Sequence, residues 1–244
     1  MKLLEKSEYI KICSKFDNFI IYFPIILSVV DNKQDGYVFQ KESTFIIVHK
    51  FGFCYILGEY CDYAELVDEI SEKLKGLVPK LRLYDPNEKF KGSSCFFNDR
   101  CTRIKYTHPL DIDKSCNYQV DFFDVQSKDF RKCDFFDLEL GSRYWSTCLE
   151  FKKNSLGIVD EYNMGICYAA AISHGYAEID IFVNEKVRGK GLATRLVKCF
   201  VDKCVSNNVI PVWDCYSNNH ASVNLANKTE FKRVFEYDFY NINI

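Results

Sequence analysis

The sequence predicts an α/β fold: a mixed, largely antiparallel sheet flanked by helices. Three observations carry this. Apolar and β-branched segments of strand length follow one another across short turns, the pattern of an antiparallel meander. Between residues 177 and 216 the order becomes strand, glycine-rich turn, amphipathic helix, strand. The 244 residues, 48% hydrophobic and 16% aromatic, are enough to bury one large core or two smaller ones.

In the first half, residues 36–39, 43–49 and 51–57 have strand character with a turn near Lys50, and 63–77 carries a helical pattern. Residues 82–84 and 103–107 add strands, with a helix or loop around Cys95. In the second half, 117–125 is dense in aromatic and β-branched residues and predicts a strand, while 128–140 and 142–152 show helical spacing. Strands over 156–159 and 164–172 join at Glu161-Tyr162-Asn163, and His174-Gly175 turns the chain into the strand that ends at Val183. The helix after the glycine turn groups Ala193, Val197, Phe200, Val201 and Cys204 on one face, with Arg195, Lys198, Asp202 and Lys203 elsewhere. Asn207-Asn208 suits a left-handed helix end. A strand over 209–216, an N-cap at Asn218 or Asn219, a short helix over 221–228 and a final aromatic strand over 231–240 complete the order. Pro109 and the polar stretch 111–115 suggest two domains, 1–116 and 117–244.

Charge excludes some functions. The net charge of -2 from 32 basic and 34 acidic residues gives no electrostatic case for nucleic-acid or anionic-membrane binding. Twelve cysteines form no C-x-x-C pair, and Cys54, Cys167, Cys199 and Cys204 sit in apolar periodic segments. Buried thiols are the expectation, rather than disulfides or zinc. His49, His108, His174 and His220 show no metal spacing and are expected as packing or turn residues. The N-terminus lacks a long apolar stretch and the run 19–30 is broken by Pro24, so a reduced cytoplasmic setting is expected.

The chemistry concentrates around Arg188-Gly189-Lys190-Gly191-Leu192-Ala193-Thr194. Exposed amides at a helix N-terminus, reinforced by the helix dipole, form a seat for a pyrophosphate. A Walker A loop is excluded because Lys190 is followed by Gly191 and the motif's first glycine is missing. A Rossmann fingerprint wants a third glycine where Thr194 stands, although Asp214 lies at a suitable distance downstream, so NAD binding is a minor alternative.

Taken whole, Val183-x4-Arg188-x-x-Gly191-x-Ala193 between a strand and a helix resembles the GNAT family of acyl-CoA dependent N-acyltransferases. The later segment Asn219-His220-Ala221-Ser222-Val223-Asn224-Leu225-Ala226-Asn227-Lys228, followed by Phe231, is similar to the family's N-x-x-[AS]-x-x-L-Y-x-K-x-G-F signature. Trp213-Asp214-Cys215 before it resembles a bacterial GNAT-like subgroup with a tryptophan-aspartate-cysteine strand. The resemblance implies acetyl-CoA as co-substrate, without a metal, held by Phe182, Val183, Arg188, Gly189, Lys190, Gly191, Leu192, Ala193, Thr194, Asn219 and Ser222. Some family members are built in tandem, so a degenerate second copy is one reading of the first half beside an α/β domain of another role; that half has no R-x-x-G-x-A turn and is assigned no coenzyme. Two positions depart from the family: Ala226 replaces the usual tyrosine acid, and Glu230 replaces a glycine, which suggests a different turn.

The reaction implied is transfer of an acetyl group to a primary amine by direct attack. A thiol with a pKa of about 8.5 leaves well unassisted, whereas an amine with a pKa of about 10.4 needs a base. Glu178 and Asp180 lie at i and i+2 on one strand face and are the candidate bases, with Asp214 a further one. Backbone N–H groups around Phe182 and Val183 would polarise the thioester carbonyl. Tyr216 and Ser222 are the candidates to replace the missing acid. The alternative is a catalytically weak or inactive acyl-CoA binding or regulatory module. The acceptor is expected to be a small-molecule or peptide amine, and edge strands leave a homodimer open.

Overall fold

The computed structural model describes residues 1–91, 100–109, 122–125 and 144–244. These fall into two compact units, residues 1–104 with 235–244, and residues 105–234. The boundary expected at 116/117 lies outside the described residues. So do the helix expected over 128–140, the element around Cys95 and most of the strand expected over 117–125.

In the first unit, helix α1 (Pro24–Val30) is buried along its whole length. Pro24 does not interrupt it; the ring occupies the first helical turn, where its missing N–H costs nothing. Strand β1 (Lys2–Leu3) pairs with β2 (Gly36–Lys41), β2 with β3 (Thr44–His49) and β3 with β4 (Phe53–Leu57), all antiparallel. Helix α2 (Tyr63–Leu74) then crosses to β5 (Leu81–Asp85), which runs parallel to β4. The apolar stripe Leu66, Val67, Ile70 and Leu74 packs on Ile46, Val48, Cys54 and Ile56. Gly76 takes φ +75°, and α2 stops at Leu74 rather than at 77 as expected. Strand β6 (Arg100–Thr107) follows and carries the chain into the second unit.

In the second unit, β7 (Phe122–Asp124), β8 (Gly157–Asp160), β9 (Gly165–Ser173) and β10 (Tyr176–Val183) pair antiparallel in succession. His174 at φ 49° and Gly175 at φ +78° make the two-residue hairpin turn between β9 and β10. Helix α3 (Cys148–Asn154) starts later than the expected 142. Thr147 accepts from Glu150 N–H while Glu150 reaches back to Thr147 N–H, a capping box that fixes the first turn. Helix α4 (Leu192–Ser206) buries Leu192, Leu196, Val197, Phe200, Val201 and Cys204 and crosses to β11 (Ile210–Tyr216), parallel to β10. Helix α5 (His220–Lys228) leads into β12 (Lys232–Ile242), whose residues Asp238–Ile242 pair with β5 in the first unit.

Both α4 and α5 end in the same way. Val209 N–H bonds Cys204 O and Asn208 N–H bonds Val205 O; Phe231 N–H bonds Ala226 O and Glu230 N–H bonds Asn227 O. These are Schellman closures with a left-handed residue, Asn208 at φ 54° and Glu230 at φ 68°. Glu230 therefore makes the kind of turn a glycine would make there, contrary to the different turn expected.

The two units share a plan. The run β2-β3-β4-α2-β5 and the run β8-β9-β10-α4-β11 each place three antiparallel strands before a helical crossover to a parallel strand. This repetition is what a second copy of one fold requires.

Candidate active site

Strands β10 and β11 pair only at Tyr176↔Ile210, Ala177↔Pro211 and Glu178↔Val212. On its other side β10 stays paired with β9 as far as Val183↔Gly165. The register with β9 shifts between Glu178 and Ile179, leaving Ala170 as the extra residue of a bulge that adds local twist. Past Glu178 and Val212 the two parallel strands therefore run on unpaired with each other and open a gap. Asn184 N–H bonds Met164 O at 2.7 Å, so the two-residue alternation turns Phe182 N–H toward β9 and Val183 N–H toward the open edge. Ile181 N–H shares that edge and donates to Asp180 Oδ1 at 2.8 Å.

The glycine turn lies at the end of β10. Asn184 caps a single 3-10 turn (Glu185–Val187), and Arg188 Nε donates back to Val183 O at 3.1 Å while Nη1 meets Glu185 at 3.3 Å. Gly189 at φ +78° and Gly191 at φ +81° are both left-handed, and a Cβ built on either meets no atom within 4 Å. Helices α2, α3 and α5 carry side-chain caps from Asp62, Thr147 and Asn219, whereas α4 begins on Gly191 with none. The amides of Leu192, Ala193 and Thr194 thus open the helix with no capping side chain on them. Lys190 is exposed beside them.

A charged cluster sits where the strands part. Lys105, from the second-unit end of β6, places Nζ 2.9 Å from Asp214 Oδ2 and 3.4 Å from Glu178 Oε1. The three side chains are 0%, 2% and 6% exposed. The end of β6 is held beside β11 by His108 N–H to Pro211 O at 3.0 Å. Glu178 is thus a buried, ion-paired carboxylate rather than part of a solvated strand face. Asp180 is half-buried and accepts from Tyr168 Oη at 2.8 Å as well as from Ile181 N–H. Glu178 and Asp180 share a face by strand period, as do Asp214 and Tyr216 on β11.

Across the gap, Asn219 Oδ1 accepts from Ser222 N–H at 3.1 Å. Trp213, 3% exposed, donates its indole N–H to Ser222 Oγ at 3.0 Å, so Trp213 is a core residue that also orients a hydroxyl. The Ser222 oxygen accepts there, leaving its own O–H to donate elsewhere. Tyr216 closes β11, its carbonyl accepting from Asn219 N–H. Ala226 is fully buried and offers no proton. Burial pushes the Cys54, Cys167 and Cys204 thiols up, as expected, whereas Cys199 is only partly buried. His108 packs edge-on against Phe231, and burial holds it below the usual histidine range. No group of metal-ligating side chains occurs among the described residues.

The family model described as GNAT acetyltransferase matches residues 21–240. The chain belongs to that family. It is 25% identical to YdfB, an uncharacterised N-acetyltransferase of Bacillus subtilis (strain 168), over 97% of each chain. Among solved structures it resembles a GCN5-related N-acetyltransferase-like protein of Streptococcus suis, with TM-score 0.64, 15% identity, and 97% and 99% of the two chains covered. It also resembles a tandem GNAT protein from the clavulanic acid biosynthesis pathway, with TM-score 0.53, 11% identity, and 86% and 82% covered. The mixed sheet with flanking helices is thus a GNAT fold. Family membership implies acetyl-CoA as acyl donor. An uncapped helix start, two left-handed glycines facing open space and a gap between parallel strands suit such a donor. No helix among the described residues is long and apolar enough to cross a membrane.

Proposed function

We propose that this protein transfers the acetyl group of acetyl-CoA to a primary amine, of a small molecule or peptide, by direct attack. The observation that carries this is the parting of β10 and β11 at Glu178, next to the uncapped start of α4. When bound, acetyl-CoA supplies a thioester carbonyl and a thiol leaving group. We assign its pyrophosphate to the amides of Leu192, Ala193 and Thr194, which carry no side-chain cap, and its pantetheine arm to Asn219 and Ser222, which follow β11. Val183 N–H, on the open edge of β10, is the backbone donor available to the carbonyl oxygen.

In the transfer, the amine nitrogen forms a bond to the acyl carbon, the carbon–sulfur bond breaks, and the amine loses a proton. Glu178 is the base we assign, reached directly or through one water, with Asp180 second because both of its oxygens already accept hydrogen bonds. The sulfur can leave as thiolate, since its conjugate acid has a pKa of about 8.5. Ser222 O–H and Tyr216 are the donors that would stabilise it in place of the tyrosine absent at Ala226. The Trp213-Asp214-Cys215 strand supports placing the chain with GNAT-like proteins that carry that triplet.

Ala226 favours a second reading, a coenzyme-binding module without turnover. Release of free CoA thiol across a panel of alkylamines, amino acids and peptides separates the two. Turnover with at least one amine, lowered about a hundredfold in Glu178→Gln with coenzyme affinity retained, supports the transferase. Binding of acetyl-CoA without thiol release supports the module.

A further inference from the structure

We propose that Lys105 is a positioning residue for acyl transfer, anchored by Asp214 and acting on the substrate only through Glu178. The assignment rests on the reading of Glu178 as base. Its geometry is independent of that reading: three side chains from three strands meet under the head of the gap, each almost wholly buried.

An ammonium taken out of water is costly unless its partners are close, and a buried ion cluster stabilises a fold less well than apolar packing of the same volume. This cluster joins side chains of three strands, β6, β10 and β11. It sits at Glu178, the last residue at which β10 and β11 pair. The two contacts are unequal: Asp214 Oδ2 lies 2.9 Å from Lys105 Nζ and Glu178 Oε1 lies 3.4 Å away. Lys105 and Asp214 are therefore the tighter pair, and Glu178 is the additional carboxylate held at their side.

Among these three groups, one positive and two negative charges leave the cluster at minus one. A proton delivered from the acceptor amine to Glu178 brings it to zero while Lys105 and Asp214 stay paired. Low-dielectric surroundings favour that change. Titratable neighbours by strand period include Arg103 on β6, Asp180 on β10 and Tyr216 on β11, and Tyr168 on β9, whose hydroxyl bonds Asp180. Lys105 thus holds the base in place, while Asp214 balances the charge of Lys105 itself.

The test measures kcat and KM by CoA release, and acetyl-CoA affinity by calorimetry, in Lys105→Met/Asp214→Asn with and without Glu178→Gln. Removing cation and anion together keeps the formal charge of the three groups at minus one, and in the Glu178→Gln background leaves none of the three charged. The expected result is kcat lowered about tenfold or more with coenzyme Kd within about threefold, and a further loss of under about twofold when the same pair is removed from Glu178→Gln. Unchanged kcat, or full additivity with Glu178→Gln, overturns the proposal. Should the paired variant not fold, Lys105→Arg keeps the charge but replaces the ammonium by a planar fork. There kcat is expected to fall about threefold or more with affinity retained, and wild-type kcat overturns the proposal. A wild type that binds acetyl-CoA yet releases no CoA with any amine overturns the transferase reading, and this assignment with it.

Discussion

Glu230 holds a left-handed conformation that costs a side-chain-bearing residue about 1–2 kcal/mol, and it is exposed, with no core packing to repay it. Glu230→Gly is expected to raise stability by about 0.5–1 kcal/mol, or roughly 2 °C in Tm, once the extra freedom of the unfolded glycine is subtracted. Thermal melts of the two proteins check this; an unchanged or lowered Tm contradicts it. Not every residue-scale feature can be read from one segment. Glu178 and Asp180 were legible because strand period puts them on one face. Lys105 was not: a single lysine between Ile104 and Tyr106 has the look of a solvent-facing strand residue, and only the place of β6 beside β11 makes it a buried one. Trp213 gave a similarly partial signal, since its burial could be anticipated but not its hydrogen bond to Ser222.

Two helices follow parallel-crossing strands in this chain, and they begin differently. Asp62 accepts from the amides of Ala64 and Glu65, both at 3.0 Å, and fills the start of α2 with the chain's own carboxylate. Lys89, bonded to Gly58 O and Glu59, ties down the same turn. At α4 the corresponding position is Gly191, which brings no side chain. Asp62→Ala should therefore cost stability, about 1 kcal/mol, and leave acetyl-CoA affinity unchanged. Denaturant unfolding beside calorimetry measures both, and weakened coenzyme binding in Asp62→Ala would contradict the division of roles. Most strands and α2, α4 and α5 were legible from period and punctuation, because their apolar faces and caps lie within one segment. Pro24 reads as a break in the sequence but makes the start of α1, and the Thr147–Glu150 capping box sets the start of α3 later than helical spacing alone suggests.

At the level of the whole chain, one topological plan occurs twice and one copy keeps an open helix start. The first unit's strand-helix-strand crossover is closed by Asp62 and Lys89, while the second unit's carries Gly189, Gly191 and the gap after Glu178. The central claim is that this second crossover is the acyl-CoA seat. Titration calorimetry with acetyl-CoA on the wild type and on Gly191→Glu tests it most directly, because a carboxylate at φ +81° would bring bulk, backbone strain and like charge to the phosphate position. The account predicts one binding event per chain, weakened about tenfold or more by Gly191→Glu. No binding to the wild type at about millimolar ligand, an interaction under roughly 4 kcal/mol, or equal affinity in Gly191→Glu would contradict it.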